Sequence, residues 1–193
     1  ASSFYVYQQV YDKNGVPLEG VYVDRNGDGK INNSDKYFYK SPMAPWTGGF
    51  TSKLQYKQWD FGFSLRASLD NYVYNDLEAG SANVSTVFSK GFLSNRPVYS
   101  LQPRWTTEDN AFSDRFVQNG SFLRMENITL GYSFENLFKG ARYQGVNGRL
   151  YLSASNVFTL TKYKGIDPDV FGGIDKNVYP RPFTILAGVS LNF

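Results

Sequence analysis

The chain has 193 residues, a net charge of +3, no cysteine and no histidine. So small a charge gives no ground for a nucleic-acid partner, and the missing cysteine excludes disulfides, zinc–thiolate sites and cysteine nucleophiles. The missing histidine removes the commonest general base and metal ligand near neutral pH, and with it every Ser–His or Cys–His pair, so no enzyme is expected.

In chain order, Phe4 to Tyr11 is a weakly alternating strand candidate, followed by a long connection to Thr47. Gly48 to Lys57 sets Phe50, Leu54 and Tyr56 against Thr51, Lys53, Gln55 and Lys57. A tight turn over Tyr56 to Asp60 leads into Asp60 to Asn71, the cleanest alternation, with Phe61, Phe63, Leu65, Ala67 and Leu69 on one face. Its opposite face carries Asp60, Ser64, Arg66, Ser68 and Asp70, and a mid-strand Arg66 suits a watery lumen better than a dry core. Another long connection, Tyr72 to Gly120, precedes Ser121 to Phe134, which alternates cleanly only from Ile128 onward. Arg124 and Glu126 fall on the apolar side of that strand and are expected to lie beyond the lipid. A modest connection, with one helical turn expected over Asn136 to Ala141, leads to Arg149–Leu160, and a third long connection spans Thr161 to Tyr179. The closing run, Pro182 to Phe193, places Phe183, Ile185, Ala187, Val189, Leu191 and Phe193 on one face and stops on the aromatic.

No stretch approaches the roughly 18 apolar residues of a helical membrane span, but a barrel strand needs only about nine to eleven residues with one apolar face. Aromatic residues make up 18% of the chain, and Tyr56, Trp59, Tyr132, Phe134 and Phe193 cluster at strand ends as in an interfacial girdle. Short turns at one end and long loops at the other match outer-membrane barrels, where the long loops face outward. About six strands cannot close such a barrel, so the expected fold is all-β: an antiparallel transmembrane β-barrel segment of a larger wall. Ala1 to Phe4 shows no basic region followed by an apolar stretch, so a secretion signal is expected elsewhere.

Asp24 to Asp35 matches the roughly twelve-residue EF-hand calcium loop at nearly every ligand position. Asp24, Asn26 and Asp28 offer side-chain oxygens, Gly29 permits the sharp turn, the Lys30 carbonyl follows, Asn32 acts directly or through water, and Asp35 closes the loop. Asp35 stands where glutamate is usual, which weakens bidentate closure. Calcium is the cofactor this pattern implies, in a loop without flanking helices. Asp167-Pro168-Asp169 reads as a turn rather than a catalytic carboxylate pair. Trp46, Trp105, Tyr72, Tyr74, Tyr99 and Tyr163 could stack on sugars, clasp a partner or pack among the loops.

The order and spacing of several motifs resemble the C-terminal end of the SusC/RagA family of TonB-dependent transporters. They are Asp24–Asp35 followed by Ser41-Pro42, Leu54-Gln55-Tyr56-Lys57 before Trp59-Asp60-Phe61, Ser121 to Tyr132, Arg149 to Ser153, Ser155 to Asp169, and Tyr179 to Phe183. The resemblance implies that these residues supply about six C-terminal strands of a ~22-stranded barrel with a plugged lumen. It further implies import of glycans or peptides across the outer membrane, a SusD-like surface lipoprotein as lid, and TonB contact through an N-terminal barrel and plug chain beyond these residues. A soluble, calcium-binding β-sandwich that holds carbohydrate is the competing expectation; it would bury Phe61, Phe63 and Leu65 in a core of its own.

Overall fold

The computed structural model describes residues 3–81, 112–137, 145–176 and 179–192. The strands are β1 (Phe4–Val6), β2 (Gln9–Tyr11), β3 (Pro17–Tyr22), β4 (Tyr37–Tyr39), β5 (Trp46–Tyr56), β6 (Trp59–Leu69), β7 (Tyr72–Asn75), β8 (Val117–Asn119), β9 (Phe122–Leu137), β10 (Val146–Thr161), β11 (Ile174–Asp175) and β12 (Thr184–Asn192), with one short helix, α1 (Asp76–Ser81). They divide between two compact units, one built from the long connections and one from the long strands.

The strand unit is a single antiparallel sheet in the order β12-β10-β9-β6-β5. Alternation fixes its register, because a one-residue slip would send every apolar side chain to the opposite face. One row across the sheet reads Leu54, Phe61, Leu130, Leu152 and Ala187, and the next reads Tyr56, Trp59, Tyr132, Leu150 and Val189. The face these rows form is uncovered: Leu54 is 60% exposed, Leu152 52% and Ile185 61%. No second layer packs on it among the described residues of this unit, and Phe61, Phe63 and Leu65 are half-buried rather than buried, so the sandwich expectation is not favoured. An apolar sheet face left bare is what lipid covers in a barrel wall.

Five of the expected strands are therefore members of this sheet. The sixth, Phe4 to Tyr11, is broken into β1 and β2 and belongs to the other unit. Its break comes from non-local pairing: Tyr7 donates its backbone N–H to the Phe112 carbonyl at 2.9 Å and accepts from Asp114 at 2.8 Å. The β5–β6 hairpin is closed by Lys57 and Gln58 alone, with Lys57 at φ 53. Part of the helical turn expected at Asn136 to Ala141 lies outside the described residues, but Asn136 and Leu137 still belong to β9. Phe193, Tyr99 and Trp105 also fall outside.

The loop unit has a small core of its own, with Val6 and Phe116 fully buried and Phe4, Tyr74 and Ala79 nearly so. Tyr74 packs against Phe112 with ring centroids 3.9 Å apart. β1 pairs β4, β2 pairs β3, and β7 lies between β8 and β11.

Candidate functional site

The Asp24–Asp35 loop connects β3 to β4 in the loop unit, and its own polar side chains fold it. Gly27 and Gly29 adopt φ 74 and 76, the left-handed region that glycine enters without steric cost. Asp24 spans both turns, Oδ1 accepting from Gly27 N–H at 2.7 Å and Oδ2 from Gly29 N–H at 2.8 Å. Asn26 Oδ1 accepts from Asp28 N–H at 3.0 Å, and Asp28 Oδ1 from Lys30 N–H at 2.8 Å. Asn32 Nδ2 donates to the Lys30 carbonyl at 3.5 Å. Asn32 then caps a 3-10 turn over Asn33–Asp35 in a reciprocal capping box, with Asp35 accepting from Asn32 N–H at 2.8 Å.

Asp35 is fully buried, and its second oxygen accepts from Arg25 N–H at 3.0 Å and Asn26 N–H at 3.4 Å. These donors, Asn32 N–H foremost, hold its carboxyl below the ordinary carboxylate value. All six expected ligand residues thus share one hydrogen-bonded loop. The donor set is hard oxygen throughout, which is the chemistry calcium takes. Convergence is a different matter: among the described residues no three or more Asp, Glu, His or Cys side chains come together as a metal-holding group. The loop is tied to its unit by Arg25, which donates to Gln8 Oε1 at 2.9 Å and lies 4.6 Å from the Tyr37 ring. Tyr5 donates its hydroxyl to the Asn33 carbonyl at 3.0 Å.

Of the aromatics picked out from sequence, Tyr74 and Tyr163 are buried, and the Tyr163 hydroxyl donates to Asp175 Oδ2 at 2.6 Å. Burial raises the Tyr74 phenol and the neighbouring Glu78 carboxyl above their ordinary values. Both tyrosines therefore pack among the loops. Asp167 accepts the Asp169 N–H at 2.9 Å, which is the expected turn.

The polar face of the sheet carries ion pairs, one of them between residues that alternation placed there without giving their partners. Asp60 and Arg149 form a bidentate pair, Nε at 2.8 Å and Nη2 at 2.5 Å, although 89 residues separate them in sequence. The pair lies across Gly131, where a Cβ would overlap both side chains. Arg149, Asp60, Lys53, Thr129 and Asn127 help line a concavity of about 430 Å³. Arg124 and Glu126 correct the expectation that they sit on the apolar face. A β-bulge at Glu126 reverses the phase of β9, so that Met125 and Leu123 face outward opposite Leu65 and Ala67. Arg66 Nε then donates to Glu126 at 2.8 Å, and Arg124 Nε donates to Thr159 at 2.9 Å.

A sheet with one bare apolar face, one polar face holding ion pairs and, among the described residues, no partner strand at either edge is a sector of an outer-membrane β-barrel wall. The chain is 54% identical over its whole length to the TonB-dependent receptor SusC of Bacteroides thetaiotaomicron, covering 19% of that protein. It is 29% identical to the TonB-dependent receptor P3 of Formosa agariphila, over 98% of this chain and 22% of that one. Among solved structures, the RagAB peptide importer aligns over 99% of this chain and 22% of its own in the open-open state, with TM-score 0.73 and 25% identity. In the closed-closed state the TM-score is 0.70 and the identity 27%. No family model matches. The chain is a segment of the SusC-like family of TonB-dependent outer-membrane transporters, and spans about a fifth of the length of the relatives it matches.

Proposed function

We propose that the chain forms the C-terminal part of the wall of a TonB-dependent importer of glycans or peptides, working beneath a SusD-like surface lipoprotein. The observation that carries this reading is the two-faced sheet whose edges have no partner strand among the described residues, in a chain 54% identical throughout to a TonB-dependent receptor. An open edge in lipid leaves backbone N–H and C=O groups without partners, so β5 and β12 require further strands. The polar face would line the lumen beside the plug, and the long connections would stand on the outer surface. The test is purification of the native particle followed by denaturing mass spectrometry of every component. A detergent-requiring complex that holds these residues, the remaining barrel and plug, and a lipoprotein is expected; recovery from aqueous buffer without detergent would overturn the reading.

Within that frame, Asp24, Asn26, Asp28, Lys30 through its carbonyl, Asn32 and Asp35 would hold calcium and stiffen an outer loop. Its support is the oxygen-only donor set gathered in one loop on two left-handed glycines. Calcium at 100 times its dissociation constant should stabilise the loop unit by about 2.7 kcal/mol. Calorimetry with no heat at millimolar calcium, or equal thermal stability with calcium and with chelator, would remove the metal from this account.

A further inference from the structure

Both ends of the Asp24–Asp35 loop lead to one carboxylate on another connection, that of Asp114. Two residues beyond Asp35, Tyr37 donates its hydroxyl to Asp114 Oδ2 at 2.8 Å, across 77 residues of sequence. Next to Asp24, Arg25 lies 4.6 Å from the Tyr37 ring and donates to Gln8 Oε1 at 2.9 Å, while Val23 N–H donates to the Gln8 carbonyl at 3.0 Å. The following residue, Gln9, donates its N–H to Asp114 Oδ1 at 3.0 Å, across 105 residues. Gln9 is itself buried, and its side-chain amide donates to the Leu18 and Val21 carbonyls at 2.7 and 3.1 Å. Each oxygen of Asp114 thus answers to one end of the loop. Asp114 opens the 3-10 turn Asp114–Phe116, which runs into β8 and seats Phe116 in the core of the unit. The turn does not need this carboxylate, because Ser113 already caps it by accepting from Arg115 N–H at 3.3 Å.

We infer that Asp114 is a latch through which the Asp24–Asp35 loop sets how firmly residues 112–119, the end of the second long connection, are held to the first. A loop fixed in place fixes Tyr37 and Gln9, and both oxygens of the half-buried carboxylate are then satisfied. A loop that loosens withdraws a donor, and the oxygen left short weakens the seat of the turn. Backbone ties from Tyr7 N–H to the Phe112 carbonyl and from Asp114 N–H to the Tyr7 carbonyl remain, so the segment loosens without detaching. A parallel route through Tyr7, whose hydroxyl donates to Asn33 Oδ1 at the long distance of 3.4 Å, would survive loss of the Asp114 carboxylate. Coupling of this kind is reciprocal: whatever calcium in the loop adds to the hold on residues 112–119, that hold adds to the affinity for calcium.

The calcium-loop reading above supplies the trigger, and the experiment separates the two. The intact transporter complex in detergent is followed by hydrogen exchange with mass spectrometry, in calcium and in chelator, with calcium affinity taken from calorimetry. In wild type, calcium should slow exchange in residues 24–35 and 112–119 together, by at least about fivefold in the second segment. In Asp114→Asn, which keeps the shape but leaves one acceptor oxygen, slowing should be confined to residues 24–35, and calcium affinity should fall about fivefold. A wild-type response confined to residues 24–35 overturns the latch. Undiminished coupling and affinity in Asp114→Asn also overturn it, and assign the coupling to Tyr7. If Asp114→Asn does not assemble, Tyr37→Phe, which deletes only the donor, decides by the same comparison. If wild type takes up no calcium, the metal reading falls and Gly29→Ala tests the latch without it. A Cβ at φ 76 strains the loop, so exchange should quicken in both segments together. Adding Asp114→Asn to Gly29→Ala should end that joint response. Quickening of residues 24–35 alone in Gly29→Ala overturns the inference.

Discussion

Gly131 shows how a residue without a side chain can organise two that have them. Asp60 and Arg149 sit on strands either side of β9, and their carboxylate and guanidinium meet only because Gly131 leaves the space between them empty. Both side chains are about a third exposed, so the pair contributes in the range of surface ion pairs, about 0.2–1 kcal/mol. Gly131→Ala should therefore cost no more than that, by pushing the flexible ends of the pair apart. The informative quantity is non-additivity. In a double-mutant cycle of Gly131→Ala with Asp60→Ala, the second substitution should cost almost nothing once the first is made, in urea unfolding from vesicles. Fully additive costs would mean that the glycine serves backbone geometry and not the pair. Asp35 makes a different prediction at the same scale. Its folded value lies below the unfolded value of about 3.8, so its stabilisation is complete above that value and is lost as pH falls through the folded one. Asp35→Asn should flatten the acid limb of loop-unit unfolding; an unchanged limb would show that another carboxylate governs it.

Among elements, β6 and β9 mark what was legible in the sequence and what was not. β6 keeps strict alternation over its length, and its faces and its turn to β5 follow from that pattern, whereas its pairing with β9 does not. Leu65 lies mid-strand on the lipid side, so Leu65→Arg should cost about 2–4 kcal/mol and sharply lower the amount of assembled, heat-modifiable barrel. Wild-type assembly from that variant would argue strongly against a lipid-facing surface. β9 misleads because alternation assumes an unbroken period of two, whereas the bulge at Glu126 inserts one residue and reverses every assignment before it. The cue was present in hindsight: a basic and an acidic residue two apart in an apolar series indicate a phase change as well as a strand running out of lipid. The Asp24–Asp35 loop was readable because its hydrogen bonds are local, most spanning two to five residues. The Asp60–Arg149 pair and the Tyr7 pairing with Phe112 and Asp114 span long separations, which no local pattern encodes.

For the whole molecule, the decisive quantity is the balance between its face and its edges. The apolar face gains from lipid in proportion to area, roughly 25 cal/mol per Å², and that gain favours insertion of any such sheet. Against it stand two edges, β5 with eleven residues and β12 with nine, whose outward backbone groups have no partners within the described sheet. Each unsatisfied group in hydrocarbon costs several kcal/mol, and they recur along the full length of both strands. Edge cost therefore outweighs face gain unless other strands close the ring. Residues 1–193 exported alone should not become protease-protected in the outer membrane, and should collect as aggregate through the exposed edges. Co-export with the remaining strands and plug as a separate polypeptide should restore protection, because each edge then finds its partner. Stable insertion of the segment by itself would mean that β5 and β12 can pair with each other or with a second copy, and the sheet would have to be reassigned to a small barrel of its own.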